Sequence, residues 1–472
     1  PISEDQIFYL LDKFKYIVPG GSSMAGIGNV NQIMSLSNCF AASLEGKHDS
    51  YGGIIKTEEE LTQIFKRRGG CGTDLSFIRP RHSIVHNAAL SSTGVVSIME
   101  KYSNTAREVG AEGRRAALMI SLDVHHPDAL EFINAKKDTT KVTGANISIK
   151  LTDDFMKAVE NNETIRQSFP VDSDKKIVSF DVNAKSIWDN IIHNAWSTGE
   201  PGVLYWDTIL KESVPDCYEN FGFKTITTNP CGEIPLCSYD SCRLMSLNLY
   251  SYVNNPFTES ANIDMYLFEK HSMLALRIMD DIIDLEIEKI DSILKKINSD
   301  PEEEYIKETE KQLWIKIREK CIKGRRTGIG VTAEGDMLAA LGLRYGTDDA
   351  NNMINIIHKV LCQSVYSSSA QLAAQRGSFE IYNHELEKDN PFLKRLWKSD
   401  SILEERMIKY GRRNIACLTM APTGTISIMT QTTSGIEPVF KPISKRRRKM
   451  NGDNDNADVE FVDEVGDRYE EF

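Results

Sequence analysis

Short apolar runs bounded by turn residues alternate along the chain with stretches whose apolar residues recur every three or four positions. "AALMISLDV" (Ala116–Val124) and "ANISIKL" (Ala145–Leu151) have the length and composition of buried strands. A helical pattern follows each, one opening near "HPDALEFINA" and one at "TDDFMKAVE", where Thr152 is placed to cap the first turn. "SIWDNIIHNAWSTG" (Ser186–Gly199) has helical spacing and ends on a glycine suited to a C-cap. From Met265 to Ile297 apolar residues return at helical spacing, with Leu274, Ile278, Ile282, Leu285 and Ile293 expected to face a core and nothing that signals chemistry. "RRTGIGVTAEGDMLAALG" (Arg325–Gly342) reads as strand, turn and helix. This alternation predicts an α/β architecture.

Composition adds few surprises. The 472 residues, 41% hydrophobic and 26% charged, suffice for a large core, and no internal repeat or low-complexity linker interrupts them. "KRRRK" (Lys445–Lys449) and "NGDNDNADVE" (Asn451–Glu460) read as solvated loops. A net charge of -12 argues against a surface that coats nucleic acid, so direct DNA binding is not expected. No apolar stretch approaches a membrane span, and "PISEDQIFYL" is no signal peptide. Nine cysteines are too sparse for a disulfide scaffold, which points to a reducing, cytoplasmic setting. Position 1 is Pro and "DEVGDRYEEF" carries no helix stop, so a trimmed or split polypeptide is expected.

The candidate chemistry lies in "TTNPCGEIPLCSYDSC" (Thr227–Cys242). Asn229, Cys231 and Glu233 alternate and would share one side of any extended segment. Pro230 and Gly232 argue for a finger-like loop instead of a regular strand. A thiol between an amide and a carboxylate suits catalysis, although one cysteine alone reads more readily as a small buried hydrophobe. Cys231, Cys237 and Cys242 lack the spacing of zinc knuckles and have no nearby His, so no metal is expected. "PTGTIS" (Pro422–Ser427) offers a Gly-containing turn whose backbone N–H groups can cradle phosphates.

"NPCGEIPL" resembles the finger loop of the catalytic subunit of ribonucleotide reductase, and further matching motifs occur in that family's order. They are "SLSNC" ending at Cys39, "RGGCGTDLSFIRP" (Arg68–Pro80), "GRRAALMISLDVHHPDALEFI" (Gly113–Ile133) and "CRLMSLNL" from Cys242. "GRRTGIGV" (Gly324–Val331), "APTGTIS" (Ala421–Ser427) and "SGIEPVF" (Ser434–Phe440) complete the series. The resemblance implies a ten-stranded α/β barrel around a central finger loop. Residues 1–440 would be the catalytic core and 441–472 an exposed charged loop that starts a C-terminal segment. It further implies closing strands outside this sequence and no N-terminal ATP-cone domain.

By the same resemblance, ribonucleoside di- or triphosphates would become 2′-deoxyribonucleotides through thiyl-radical chemistry. Cys231 would form the radical, Glu233 take a proton and Asn229 hold the substrate hydroxyls. Cys39 and Cys242 would supply two electrons by closing a disulfide; the other six cysteines have no matching role. Pro422, Thr423, Gly424, Thr425 and Ile426, with Asn38 and Gly70, would bind phosphates, Asn38 standing where many relatives have Ser. Asp49, Ser50 and Arg79 match contacts to a dNTP or ATP effector, although a second Arg expected near His82–His86 is absent. "NAKKDTTKVTGA" (Asn134–Ala145), polar and without apolar anchors, matches the loop that relays the effector signal. The compact finger-loop spacing and "GIEPVF" lean toward adenosylcobalamin over a radical from a metal-containing small subunit. A thioredoxin-like dithiol reductant and a homodimer complete the implied partners.

Two readings from other classes compete. A glycyl-radical enzyme would need an R-x-x-G-like C-terminal loop, which this sequence lacks. A non-catalytic nucleotide-binding fragment would not need Cys39, Asn229, Cys231, Glu233 and Cys242 together.

Overall fold

The computed structural model describes residues 2–42, 49–109, 116–441, 443, 445, 447–449, 459–462 and 468–471. Strands Cys39–Ala41, Gly70–Asp74, Leu118–Asp123, Asn146–Leu151 and Gly202–Tyr205 lie side by side in that order, all parallel. The first four are buried almost throughout, as strands covered on both faces must be. Ser241–Cys242 adds an antiparallel edge to Cys39–Ala41. A second sheet sets Leu244–Asn248 between Ile17–Pro19, antiparallel, and Gly328–Thr332, parallel; Leu418 bridges to Ile329 beyond. Among the described residues these pairings fall in two sheets.

The two sheets meet at Arg243, between Cys242 and Leu244. Its guanidinium is fully buried and donates to Ser37 Oγ at 3.3 Å, Ser241 Oγ at 3.0 Å and the Arg326 carbonyl at 2.5 Å. Arg326 pairs with buried Asp240 at 2.7 Å, so the second charge at the seam is balanced. A buried cation is tolerated only with such partners.

Local signals behave as their chemistry requires. Thr152 caps Asp153–Asn161, and Gly199 ends Ala184–Thr198 in a left-handed turn. The apolar stretch from Met265 is one 35-residue helix, Met265–Ser299. Ile278, Ile282 and Ile293 are buried there, but Leu285 is 39% exposed and Glu286 is fully buried in its place. Glu286 accepts from Ser35 Oγ at 2.6 Å, the Leu36 N–H at 2.5 Å and Ser37 Oγ at 2.9 Å. The helix expected to carry no chemistry therefore anchors the segment that leads into Cys39.

Near the C-terminus, "KRRRK" departs from the loop expectation. Arg447–Lys449 is a strand paired with Arg468–Glu471, which also pairs with Phe461–Val462. Arg447 pairs with Glu471 at 2.8 Å and lies 3.5 Å over the Phe461 ring, which offsets the clustered positive charge. Most of "NGDNDNADVE" lies outside the described residues. Among the described residues, no helix is long and apolar enough to cross a membrane. One carboxylate group there has metal-ligand spacing, Asp280, Asp281 and Asp284. Arg325 and Arg376 pair with it from 2.6 to 3.1 Å.

Candidate active site

Thr225–Thr228 and Pro235–Cys237 form an antiparallel hairpin packed on the parallel sheet. A Cβ on Gly72 would lie 1.8 Å from the Thr228 carbonyl oxygen, so only glycine lets the hairpin approach this closely. Side chains from three neighbouring strands hold it. Lys150 donates to the Ile226 carbonyl at 2.6 Å and pairs with Asp74 at 2.7 Å. Ser121 Oγ lies 3.0 Å from Thr227 Oγ1, and Asn146 donates to the Pro230 carbonyl at 3.0 Å.

The hairpin tip is a turn. The Gly232 N–H donates to the Asn229 carbonyl at 3.1 Å and the Asn229 N–H to the Ile234 carbonyl at 3.1 Å, with Gly232 at φ +89°. Asn229, Cys231 and Glu233 consequently do not share a strand face, as simple alternation would have it. Asn229 is fully buried, Glu233 half-buried and Cys231 exposed.

Asn229 links the functional groups. Its Nδ2 donates to Glu233 Oε2 at 2.7 Å and to Cys39 Sγ at 3.4 Å, while its Oδ1 accepts from the Ile234 N–H at 2.9 Å. Cys39 stands opposite Cys242 across the antiparallel pair, both buried and both free thiols. Directly opposed antiparallel residues have Cα atoms roughly 4.5–5.5 Å apart, inside the roughly 4.4–6.8 Å that a disulfide spans. Burial pushes the Cys242 thiol up to about 12, against the opposing pull of Arg243 and Arg326. Cys39 is held well above its ordinary value, by burial first and then by the Glu233 charge. Charge on Cys242 and Cys231 adds to that rise, which places all three thiols in one electrostatic neighbourhood. Burial also raises the Glu233 carboxyl, and the Asn229 hydrogen bond partly offsets it.

The expected phosphate-binding residues divide. Asn38 and Gly70 adjoin the thiols: the Asn38 N–H donates to the Cys242 carbonyl at 3.1 Å and the Gly70 N–H to the Asn38 carbonyl at 2.8 Å. Asn38 Oδ1 is buried without a hydrogen-bond partner, and a Cβ on Gly70 would stand 3.0 Å from Pro230. Pro422 to Ile426 lead into the helix Gly424–Thr430, with Pro422, Gly424 and Thr425 exposed and Ile426 buried. The Thr423 side chain is instead turned to internal use, its Oγ1 accepting from the Gly435 N–H at 2.6 Å.

Asp49, Ser50 and Arg79 line one cavity of about 640 Å³, together with His86 and Lys101. Arg79 Nε donates to Asp49 Oδ2 at 2.6 Å and its Nη1 to the Ile84 carbonyl at 2.7 Å, so the guanidinium is largely engaged within the protein. Ser50 caps the helix Tyr51–Phe65. The Asn134–Ala145 stretch does have an apolar anchor, since Val142 is fully buried and its N–H donates to Glu100 at 3.1 Å.

Four supporting residues are not legible as such in the sequence: Glu286, Arg243, Lys150 and Asp74. Only Lys150 carried a signal, a lysine inside an otherwise apolar strand.

A parallel sheet thus carries a hairpin whose amide and carboxylate, Asn229 and Glu233, lie beside two opposed free cysteines. The model of the ribonucleotide reductase barrel domain matches residues 37–471, and the chain belongs to that family. The vitamin B12-dependent ribonucleoside-diphosphate reductase of Thermoplasma acidophilum is 32% identical over 438 residues, 92% of this chain and 49% of the relative. Its namesake from Mycobacterium tuberculosis is 30% identical over 409 residues, 86% of this chain and 50% of the relative. The chain thus spans about half the length of the curated relatives it matches. The Actinobacillus ureae class Id ribonucleotide reductase alpha subunit shares the fold, with a TM-score of 0.65 at 18% identity over 92% of this chain and 68% of that one.

Proposed function

We propose that this chain carries the active site of a ribonucleotide reductase that converts ribonucleoside di- or triphosphates to 2′-deoxyribonucleotides. The observation that carries the reading is Asn229, which ties Glu233 to Cys39 directly opposite Cys242. In this reading residues 1–440 are the catalytic core and 441–472 lead into a further segment.

The chemistry balances on these groups. A Cys231 thiyl radical takes hydrogen from the substrate C3′ and returns it at the end, so its S–H bond is re-formed. Glu233 accepts the 3′-hydroxyl proton as general base. The 2′-hydroxyl leaves as water, taking up one thiol proton. Cys39 and Cys242 together lose two electrons and two protons as their S–S bond forms. Ribonucleotide plus dithiol becomes deoxyribonucleotide, water and disulfide, and a thioredoxin-like external dithiol restores the pair. The raised Cys39 and Cys242 pKa values serve this balance, because both sulfurs stay protonated near neutrality.

Adenosylcobalamin, a form of the vitamin B12 on which the relatives depend by name, fits one feature of the site: Cys231 is exposed while Cys39 and Cys242 are buried. When bound, it supplies the radical that oxidises a cysteine. The Asp49–Arg79 cavity takes a dNTP or ATP effector, the Asn134–Ala145 stretch relays its signal, and the enzyme works as a cytoplasmic homodimer.

The test is turnover of the full-length protein with adenosylcobalamin, nucleotide and dithiothreitol. Deoxynucleotide should form, and Cys231→Ser should abolish it with nucleotide binding retained. Wild-type rates in Cys231→Ser would remove Cys231 from the mechanism. Product only on addition of a metal-containing subunit would relocate the radical source.

A further inference from the structure

The two opposed cysteines have unlike surroundings. Cys39 is 8% exposed and Cys242 1%. Cys39 faces the hairpin tip: Asn229 Nδ2 donates to its sulfur at 3.4 Å, and charge on Glu233 and on the exposed Cys231 bears on it. Cys242 faces inward. A Cβ on Gly328 would lie 2.9 Å from its Sγ, so this sulfur fills the space that a side chain at 328 would need. Beside that contact lies a buried ion pair, with Asp240 two residues before Cys242 and Arg326 two before Gly328. Arg326 Nε donates to Asp240 Oδ2 at 2.8 Å. Its Nη2 pairs with the same oxygen at 2.7 Å by charge alone, since it is buried and makes no hydrogen bond. Asp240 Oδ1 is taken by the Ser241 N–H at 2.8 Å. The Arg326 cation bears on Cys242, while Cys39 has a carboxylate beside it instead.

Thiol–disulfide exchange has one attacked sulfur and one leaving sulfur, and the leaving sulfur departs faster where its negative charge is stabilised. We propose that the Arg326–Asp240 pair makes Cys242 the leaving sulfur, so that the external dithiol attacks Cys39. The inference rests on the reading of Cys39 and Cys242 as the reductant and adds the direction in which the pair is restored. A thiolate of the external dithiol bonds to Cys39 Sγ, the Cys39–Cys242 bond breaks, and its electron pair leaves on Cys242. The buried Arg326 N–H groups that lack a partner face a thiolate at that moment and a neutral sulfur otherwise. The second external thiol then attacks the external sulfur of the mixed disulfide and releases Cys39. Two electrons pass from the external dithiol to the pair, and the site sulfurs regain the two protons that the external thiols lose. Access agrees with this order, since Cys39 is on the open side and Cys242 is enclosed. Arg243 adds positive charge beside Cys242 but also joins the two sheets, so Arg326 is the arginine to vary.

The test traps the mixed disulfide. Full-length protein is taken through one turnover without external thiol, exposed briefly to glutathione, quenched with N-ethylmaleimide and mapped by peptide. Glutathione, a monothiol, cannot complete the second step and marks the attacked sulfur. It should be found on Cys39, with N-ethylmaleimide on Cys242. Arg326→Gln combined with Asp240→Asn removes both charges at once and strands neither. This double variant should lower the preference for Cys39 by about tenfold, the size that one hydrogen bond to a charged group gives. Arg326→Lys keeps the charge and should keep the wild-type preference, which a purely structural role for the pair does not explain. The wild-type distribution decides the direction of attack even if the double variant does not fold. Glutathione mainly on Cys242, or spread evenly, would overturn the proposal alone. An unchanged preference in the folded double variant would remove the ion pair from it. No Cys39–Cys242 disulfide after turnover would overturn the reading of the pair as reductant, and this proposal with it.

Discussion

Cys39 and Cys242 face each other on adjacent strands, yet their neighbours differ. Cys39 has Asn229 and the Glu233 charge beside it; Cys242 has the cations Arg243 and Arg326. Both thiols nonetheless titrate far above neutrality, because burial outweighs every charge near them. Glu233 is shifted in the same direction by the same cause. For an acid this means that the neutral form persists to higher pH than usual, while a general base must be ionised. Activity should therefore fall as pH drops through a Glu233 pKa lying above the ordinary carboxyl value of 4.5. Any alkaline limb from the dithiol should lie above the ordinary cysteine range, because burial raises both thiols. Glu233→Gln should lower turnover by roughly 10²–10⁴ and remove the acid limb; a kcat/KM profile against pH checks both. An unchanged rate would reduce Glu233 to a structural role.

The finger hairpin owes its position to residues outside its own motif. Lys150 and Asp74 are both buried, and Lys150 also holds the Ile226 carbonyl and lies 4.0 Å over the Trp206 ring. Lys150→Met leaves Asp74 buried without its cation and should destabilise the protein by about 3–5 kcal/mol. Denaturant unfolding measures it, and a loss below about 1 kcal/mol would mean that the pair does not hold the hairpin. How much of this was legible depends on range along the chain. "NPCGEIPL" announces a loop because Pro230 and Gly232 break strand geometry locally, and the structure has a turn there. Which of Asn229, Cys231 and Glu233 is buried was not legible, because the turn undoes face alternation and burial depends on the sheet behind it. The Met265–Ser299 helix shows the same division. Its apolar period is plain, but Glu286 acquires meaning only from Ser35–Ser37, brought to it by the fold.

Across the whole molecule, the order of motifs was the legible part and their junctions were not. Cys39 and Cys242 lie far apart in the chain, and only the register of two short strands makes them neighbours. Arg243, one residue beyond Cys242, then joins the two sheets, so the opposed cysteines sit at the seam of the fold. The chain spans about half the length of its curated relatives. The central claim is that the hairpin and the opposed cysteines form one redox site. It is tested most directly by a single turnover without external thiol, followed by peptide mapping. A Cys39–Cys242 disulfide should appear only with substrate and in proportion to product, and further turnover should wait for added dithiol. Product formed while both cysteines remain free thiols would contradict the account.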